Sequence, residues 1–312
     1  MNQYIFWIIF SVVVISIFII DIYVTDKRQG KISLKNSLVW CGVWITAALL
    51  FNVFLYFYFG RGHIKALEFL TGYLVEYSLS VDNLFVFLLI FKKMKVSPEN
   101  QPIILKWGIL SAVVFRIAFI VVGVGLIRLF HPVIYFFALI LLYASYQMAF
   151  GGDHEVDIDK NPLVKFSAKY FKVYPNYHGK RFFIKREGKF FATTLFLTLL
   201  LIESTDIVFA TDSIPAIIAI TRDEFIIVTS NIFAILGLRA LYFALAGIVD
   251  LFAYLKYGVA IVLAFVGIKM MLSDIIEIHI VISLAAIILV LGSSIILSII
   301  KRKKETRKGE RA

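Results

Sequence analysis

Long apolar runs dominate this chain and decide what it can fold into. A helix needs about 20 apolar residues to cross the hydrocarbon core of a bilayer. The hydrophobic share is 61%, whereas a soluble domain is nearer half apolar. The sequence therefore predicts an all-α, polytopic membrane protein with nine transmembrane helices. The predicted spans are residues 4–22, 38–59, 65–91, 103–127, 132–150, 190–220, 225–249, 254–272 and 277–300.

The basic residues lie mostly in alternate loops between these spans. Of the 32 Lys and Arg residues, most follow spans one, three, five and seven or lie in the C-terminal tail, and four lie on the other side, namely Arg61, Lys65, Arg128 and Arg222. Since cytoplasmic loops carry the excess of Lys and Arg, we expect the N-terminus outside and the C-terminus in the cytoplasm. The net charge of +11 then favours contact with anionic lipid and not with nucleic acid.

The cysteine content and the N-terminal residues limit the function further. Cys41 is the single cysteine, so neither an internal disulfide nor dithiol chemistry within this chain is expected. The N-terminus has no basic leader and no small-residue cleavage site, which predicts a retained span and not a signal peptide.

Two stretches inside apolar runs carry acids at the same spacing. Each reads acid, five residues, Asp and then a small polar residue. The matching residues are Glu76, Asp82 and Asn83 in the first copy and Asp206, Asp212 and Ser213 in the second. The second copy also contains Glu203. An ionisable residue in a membrane span costs a few kcal/mol and is by default a functional-site hypothesis; the alternative is that these acids only make interhelical ion pairs.

The similarity continues through the helices that follow each motif. Arg116 and Arg239 each lie in the next span, and residues 137–148 align with 259–270 without a gap. Spans three to five are therefore predicted to repeat as spans six to eight. Because three is odd, the second unit crosses the membrane in the opposite sense, which is the inverted repeat of secondary transporters.

This repeat divides the chain into five segments. They are two N-terminal helices (1–62), the first repeat (63–150), a basic cytoplasmic loop (151–189), the inverted second repeat (190–275) and the last helix with its basic tail (276–312). Within the loop, 163–173 has amphipathic helical spacing, and 181–191 reads as two short strands about a glycine turn. The loop is expected either to cover the inner face or to bind anionic lipid.

The spacing within each motif leaves two arrangements open. Glu76, Ser80 and Asn83 share one helix face, whereas Asp82, like Asp212 in the other copy, points about 120° away from it. For both acids of a pair to reach one ligand, the helix must bend or unwind, or the ligand must move. The alternative is a continuous helix whose acids face different neighbours.

The candidate ligands are all oxygen atoms, which suit magnesium, calcium or manganese. The predicted site consists of Glu76, Asp82, Asn83, Glu203, Asp206, Asp212 and Ser213, with Arg116, Arg239 and Lys269 as supporting charges. If all these acids and bases are buried and ionised, two negative charges remain, which matches a divalent cation. The bases either neutralise the acids and lock the packing or take part in moving the ion.

Three runs carry a resemblance to the TerC/Alx family of integral membrane proteins: EYSLSVDN at 76–83, FATDSIPAIIAI at 209–220 and TSNIFAILGLRALY at 229–242. The resemblance covers roughly residues 35–300. It implies manganese export across the inner membrane of a bacterium. Thr211 stands where the family usually has an apolar residue and Glu224 where it usually has Pro, and neither change removes a candidate ligand.

The expected function is therefore secondary export of a divalent cation, with manganese favoured by the resemblance and protons as the simplest coupling ion. No nucleotide-binding motif is visible, and neither an enzyme activity nor a tightly bound cofactor is expected. Two alternatives remain: a membrane-bound redox modulator, which would need a partner that supplies the redox group, and an exporter of small solutes such as amino acids.

Overall fold

The computed structural model describes residues 3–26, 34–130, 132–151, 172–174, 181–186, 189–246, 254–273, 275–276 and 278–309. The side chain of Asp82 is not among the described ones. The helices of the described chain are α1 (Gln3–Asp26), α2 (Leu34–Tyr58), α3 (Gly62–Lys93), α4 (Gln101–Leu129), α5 (Val133–Phe150), α6 (Thr194–Ile218), α7 (Glu224–Leu236), α8 (Leu238–Leu245), α9 (Leu255–Met271) and α10 (Ile280–Gly309).

Most of these helices are long enough to cross a membrane, which confirms the predicted all-α membrane fold. Within the described residues, eight helical stretches have the length and apolar composition of a span, and α7 and α8 together form one of them. The remaining predicted span, 254–272, is α9, whose 17 residues are at the lower limit for a bilayer crossing. The count of nine therefore stays a prediction.

The centre of the bundle is α7, in which every residue from Phe225 to Leu236 is buried. A helix that is apolar on all sides is expected to lie inside a bundle. Helices α3 and α4 both pack on α7, and both also pack on α6. The two motif helices, α3 and α6, therefore meet next to the most buried helix of the protein.

The contacts between the two predicted repeats are reciprocal. Helix α3 packs on α7, α4 packs on α6, and α5 packs on α9. A twofold relation requires this pattern, because the first helix of each repeat then meets the second helix of the other. The inverted relation itself stays a prediction.

Both motif helices are continuous, which excludes an unwound segment within either motif in this conformation. Helices α3 and α6 run through their motifs without a break, and Pro215 lies in the last turns of α6. A proline near a helix end removes a hydrogen bond but need not end the helix earlier. The helical hydrogen bonding is interrupted instead in the following span, at Gly237 between α7 and α8.

The described part of the loop before α6 contains a small sheet. Strands β1 (Lys172–Tyr174), β2 (Phe183–Arg186) and β3 (Lys189–Thr193) form a sheet in the order β1-β3-β2. The antiparallel pair of β2 and β3 confirms the predicted hairpin.

One prediction within this loop is wrong. Lys172 and Val173 do not continue an amphipathic helix, because they pair in parallel with Phe191 and Ala192 on the open edge of β3. The rest of that predicted helix, 163–171, lies outside the described residues. The sixth span, predicted at about 190–220, is α6, which begins at Thr194 because the residues before it belong to β3.

The close packing of α9 on α10 gives a test of the fold. A Cβ atom on Gly258 would lie 2.2 Å from Ser294 Oγ and 2.8 Å from Ser294 Cβ. Gly258→Ala should therefore force the helices apart and destabilise the protein by about 1–3 kcal/mol. Gly125→Ala is the matched control, since a Cβ there meets nothing within 4 Å. The melting temperatures of both variants are measured by thermal unfolding in detergent. Equal melting temperatures for Gly258→Ala and Gly125→Ala would contradict the α9–α10 packing.

Candidate functional site

The guanidinium group of Arg116 lies at the centre of the predicted site. Arg116 is fully buried in α4. Its Nη1 atom donates to Glu76 Oε1 in α3. The same nitrogen donates to Ser213 Oγ in α6 at 2.8 Å and to Asn231 Oδ1 in α7 at 3.3 Å. Its Nη2 atom donates to Asp206 Oδ1 at 3.5 Å. We refer to these five residues as the Arg116 cluster.

The helical spacing of each motif explains how the acids reach Arg116. Asp206 and Ser213 are seven residues apart and share one face of α6. On α3, Ser80 lies one turn after Glu76 and donates to Glu76 Oε1 at 3.2 Å. Asn83, predicted on the same face, is also buried. The two copies of the motif thus face each other across a single guanidinium group.

Three carboxylate oxygens near this cluster have no hydrogen-bond partner within the described part of the chain. They are Glu76 Oε2, Asp206 Oδ2 and Glu203 Oε2. The parent side chains are 1%, 5% and 7% exposed. Because buried polar atoms in folded proteins are almost always hydrogen-bonded, these exceptions need an explanation. A cation that completes the arrangement is one such explanation.

Glu203 is held by a different contact from the other two acids. Ser111 Oγ in α4 donates to Glu203 Oε1 at 2.5 Å. The residue one turn before Ser111 is Gly108, where a Cβ atom would lie 3.5 Å from the same oxygen. Glu203 therefore lies beside α4, one turn before Asp206 on α6, and outside the described contacts of Arg116.

The remaining predicted residues do not join the Arg116 cluster in the described structure. Asp212 is half-buried on α6 and does not contact Arg116 directly in the described hydrogen bonds and ion pairs. The side chain of Asp82 is outside the description. Lys269 Nζ donates to Ser283 Oγ at 2.9 Å and so links α9 to α10. Arg239 lies 3.8 Å from Asp21 in α1, measured from Nη1 to Oδ2.

Asp21 is a buried acid that was not predicted as a functional residue, although the sequence contains a signal for it. Asp21 is a single acid within an apolar run, and it is 3% exposed. The rule that ionisable residues in spans need partners applies to it as much as to the paired motifs. Ser111 and Asn231 were missed as site residues because a neutral polar side chain in a span gives a weaker signal.

The acids alone do not form a metal site in this conformation. Among the described side chains, no group of three or more His, Cys, Asp or Glu residues is close enough to hold a metal ion. What joins Glu76 and Asp206 here is the guanidinium of Arg116. Any metal complex at this position therefore needs Asp82, neutral oxygen ligands or a movement of the helices.

A second polar cluster ties α3 to the turn between α6 and α7. Lys65 Nζ lies 2.8 Å from Glu68 Oε2 and 3.2 Å from Asp223 Oδ2. Thr221 Oγ1 donates to Glu68 Oε2 at 2.6 Å. In the predicted orientation this is the outer end of both motif helices. These contacts hold the start of α3 beside the turn that follows α6 in this conformation.

The buried ion cluster and the spanning helices define a multi-pass integral membrane protein. The family described as "Integral membrane protein TerC family" matches residues 61–306. The chain therefore belongs to the TerC family, which confirms the resemblance seen in the motifs.

Several relatives match the chain over nearly its full length. The Escherichia coli (strain K12) protein named "Putative membrane-bound redox modulator Alx" is 40% identical over 299 residues, which cover 94% of this chain and 93% of that protein. An "Uncharacterized membrane protein STKORF319" of Myxococcus xanthus is 40% identical over 297 residues, covering 95% and 92%. An "Uncharacterized membrane protein" of Rickettsia bellii is 40% identical over 296 residues, covering 95% and 97%. No solved structure matches the chain significantly.

The ion pair between Asp21 and Arg239 generates a prediction. Removing one partner of a buried ion pair is strongly destabilising, at a cost of about 3–5 kcal/mol. Asp21→Asn and Arg239→Gln should each lower the melting temperature in detergent. The melting temperature of the double variant should fall by less than the sum of the decreases in the two single variants, because both charges of the pair are then absent. Strictly additive losses would show that the two side chains do not interact.

Proposed function

We propose that this protein is a secondary transporter that exports a divalent cation, manganese, across the bacterial inner membrane in exchange for protons. The observation that carries the proposal is the Arg116 cluster with its unpartnered carboxylate oxygens. Glu76 and Asp206 come from the two motif helices, and both are buried within the bundle. A buried acidic site between two repeats is what secondary transporters use for coupling ions and substrates.

The chemistry of the cluster favours a hard cation. Its ligands are carboxylate, hydroxyl and amide oxygens, from Glu76, Asp206, Ser213 and Asn231. Such oxygens suit magnesium, calcium and manganese, whereas thiolate and imidazole ligands would suit copper or zinc. Manganese is the cation that the resemblance of the motifs to the TerC/Alx family implies.

The membrane potential constrains the mechanism. Moving a 2+ ion out of a cell against 100 mV costs about 4.6 kcal/mol, at about 2.3 kcal/mol per charge. Export therefore needs an energy source, and the sequence contains no recognisable ATPase motif. Carboxylates must lose their protons before they bind a metal. Protons that enter on carboxylates of the site as the metal leaves would supply the coupling.

The names of the relatives favour a second candidate function, a redox role. The Escherichia coli relative carries the words "membrane-bound redox modulator" in its name. In this chain the only cysteine is Cys41, which is buried in α2 against Ala240 and Ala244 of α8. One buried thiol cannot cycle between dithiol and disulfide within the chain. A redox role would therefore depend on a group supplied by a partner, and an absorption spectrum of protein purified from native membranes would reveal a haem or flavin.

Transport in proteoliposomes tests the metal-export proposal. The wild type should move Mn²⁺, and Glu76→Gln and Asp206→Asn should each reduce the initial rate at least tenfold, because each removes a charge without changing shape. Ser80→Ala should have a smaller effect, since it deletes a neutral hydroxyl that only orients Glu76. Size-exclusion profiles check that the variants are folded. Unchanged rates in both acid variants would count against the site.

Proton coupling gives a separate prediction. Because protons and metal compete for the same carboxylates, the affinity for Mn²⁺ should fall as the pH is lowered. In proteoliposomes with a pH-sensitive dye inside, each Mn²⁺ that leaves should be accompanied by acidification of the lumen. Manganese flux without any proton movement would show that another ion provides the coupling.

A further inference from the structure

We propose that the guanidinium group of Arg116 occupies the cation-binding position when no ion is bound, so that an incoming divalent cation must displace it. The inference rests on the proposed function and deepens it, because it names the group that sets affinity and release at that same site.

The position of Nη1 is the first argument. This single nitrogen contacts Glu76 Oε1, Ser213 Oγ and Asn231 Oδ1. The three oxygens come from three different helices, and they are a carboxylate, a hydroxyl and an amide carbonyl. Oxygens of these kinds, converging on one point, are the ligands that hard cations take in proteins. A positively charged group already lies where such an ion would be bound.

The unpartnered oxygens are the second argument. The Arg116 cluster contains four contacted oxygens, and the carboxylates of Glu76 and Asp206 contribute two more that have no partner among the described residues. The cluster thus offers six oxygen atoms, four in contact with the guanidinium group and two more on the same carboxylates. Six oxygens in an octahedral arrangement are typical of magnesium and manganese sites. The guanidinium group contacts four of these oxygens and leaves two without a described partner. A bound ion would use those two oxygens as well.

The charges are the third argument. Glu76 and Asp206 are both buried, and two carboxylates without a counter-ion are costly in a medium of low dielectric constant. Arg116 offsets part of that cost after an ion has left, so release becomes easier. Its presence also weakens binding, because the ion must compete with a cation that is attached to the protein.

The placement of Arg116 on a separate helix makes displacement feasible. All four contacted oxygens belong to α3, α6 and α7, whereas Arg116 belongs to α4. A shift of α4, or a change of the Arg116 rotamer, can therefore withdraw the guanidinium without dismantling the ligand set.

The test compares Mn²⁺ binding and transport for wild-type protein and Arg116→Gln. Isothermal titration of the purified proteins with MnCl₂ should show at least tenfold tighter binding by Arg116→Gln, while its turnover in proteoliposomes should fall at least tenfold because release is slowed. Arg128→Gln is the control for loss of one positive charge on α4, since Arg128 pairs with Glu224 at an exposed position. Its affinity should stay within twofold of the wild type.

A second variant covers the case in which Arg116→Gln does not fold. Arg116→Lys keeps the charge but cannot reach all four oxygens, so it should bind Mn²⁺ more tightly than the wild type by a smaller factor. The wild type could bind and transport Mn²⁺ while neither folded Arg116 variant binds it more tightly. In that case the proposal that Arg116 competes with the cation is overturned, and the proposed function stands. If the wild type neither binds nor transports Mn²⁺, both proposals are overturned.

Discussion

The structure depends on one buried electrostatic arrangement, in which Arg116 joins two acids from different helices. A charge in the core of a membrane bundle is stable only when it is paired and hydrogen-bonded. Arg116 satisfies that requirement with Glu76 and Asp206, and it connects α4 to α3, α6 and α7. Any movement of these helices relative to one another therefore changes the electrostatic balance of the cluster.

The same arrangement explains why an ion-pairing role and a transport role are compatible. If these acids served only to lock the helices, both oxygens of each carboxylate would be expected to have partners. Instead Glu76 Oε2 and Asp206 Oδ2 have none among the described residues, although Ser and Asn side chains lie close by. Arg116 thus stabilises this conformation while one oxygen of each carboxylate stays without a described partner, as the proposed cation binding requires.

The sequence predicted those parts of the structure that carry strong signals. Charged residues in apolar runs are rare, so the paired motifs and Arg116 could be recognised as a buried site. The hairpin before α6 followed from alternation about a glycine. The contacts of Ser111 and Asn231 could not be predicted, because they depend on which helices pack together. The pairing of Arg239 with Asp21 also required the position of α1 against the bundle.

Whether a cation binds beside Arg116 can be measured in a structure determined with bound Mn²⁺, using anomalous scattering at the manganese edge. We expect a manganese ion within about 2.5 Å of carboxylate oxygens of Glu76 and Asp206, with the guanidinium of Arg116 no longer bonded to both acids. Manganese bound elsewhere, or absent while Arg116 keeps all its contacts at saturating Mn²⁺, would contradict it.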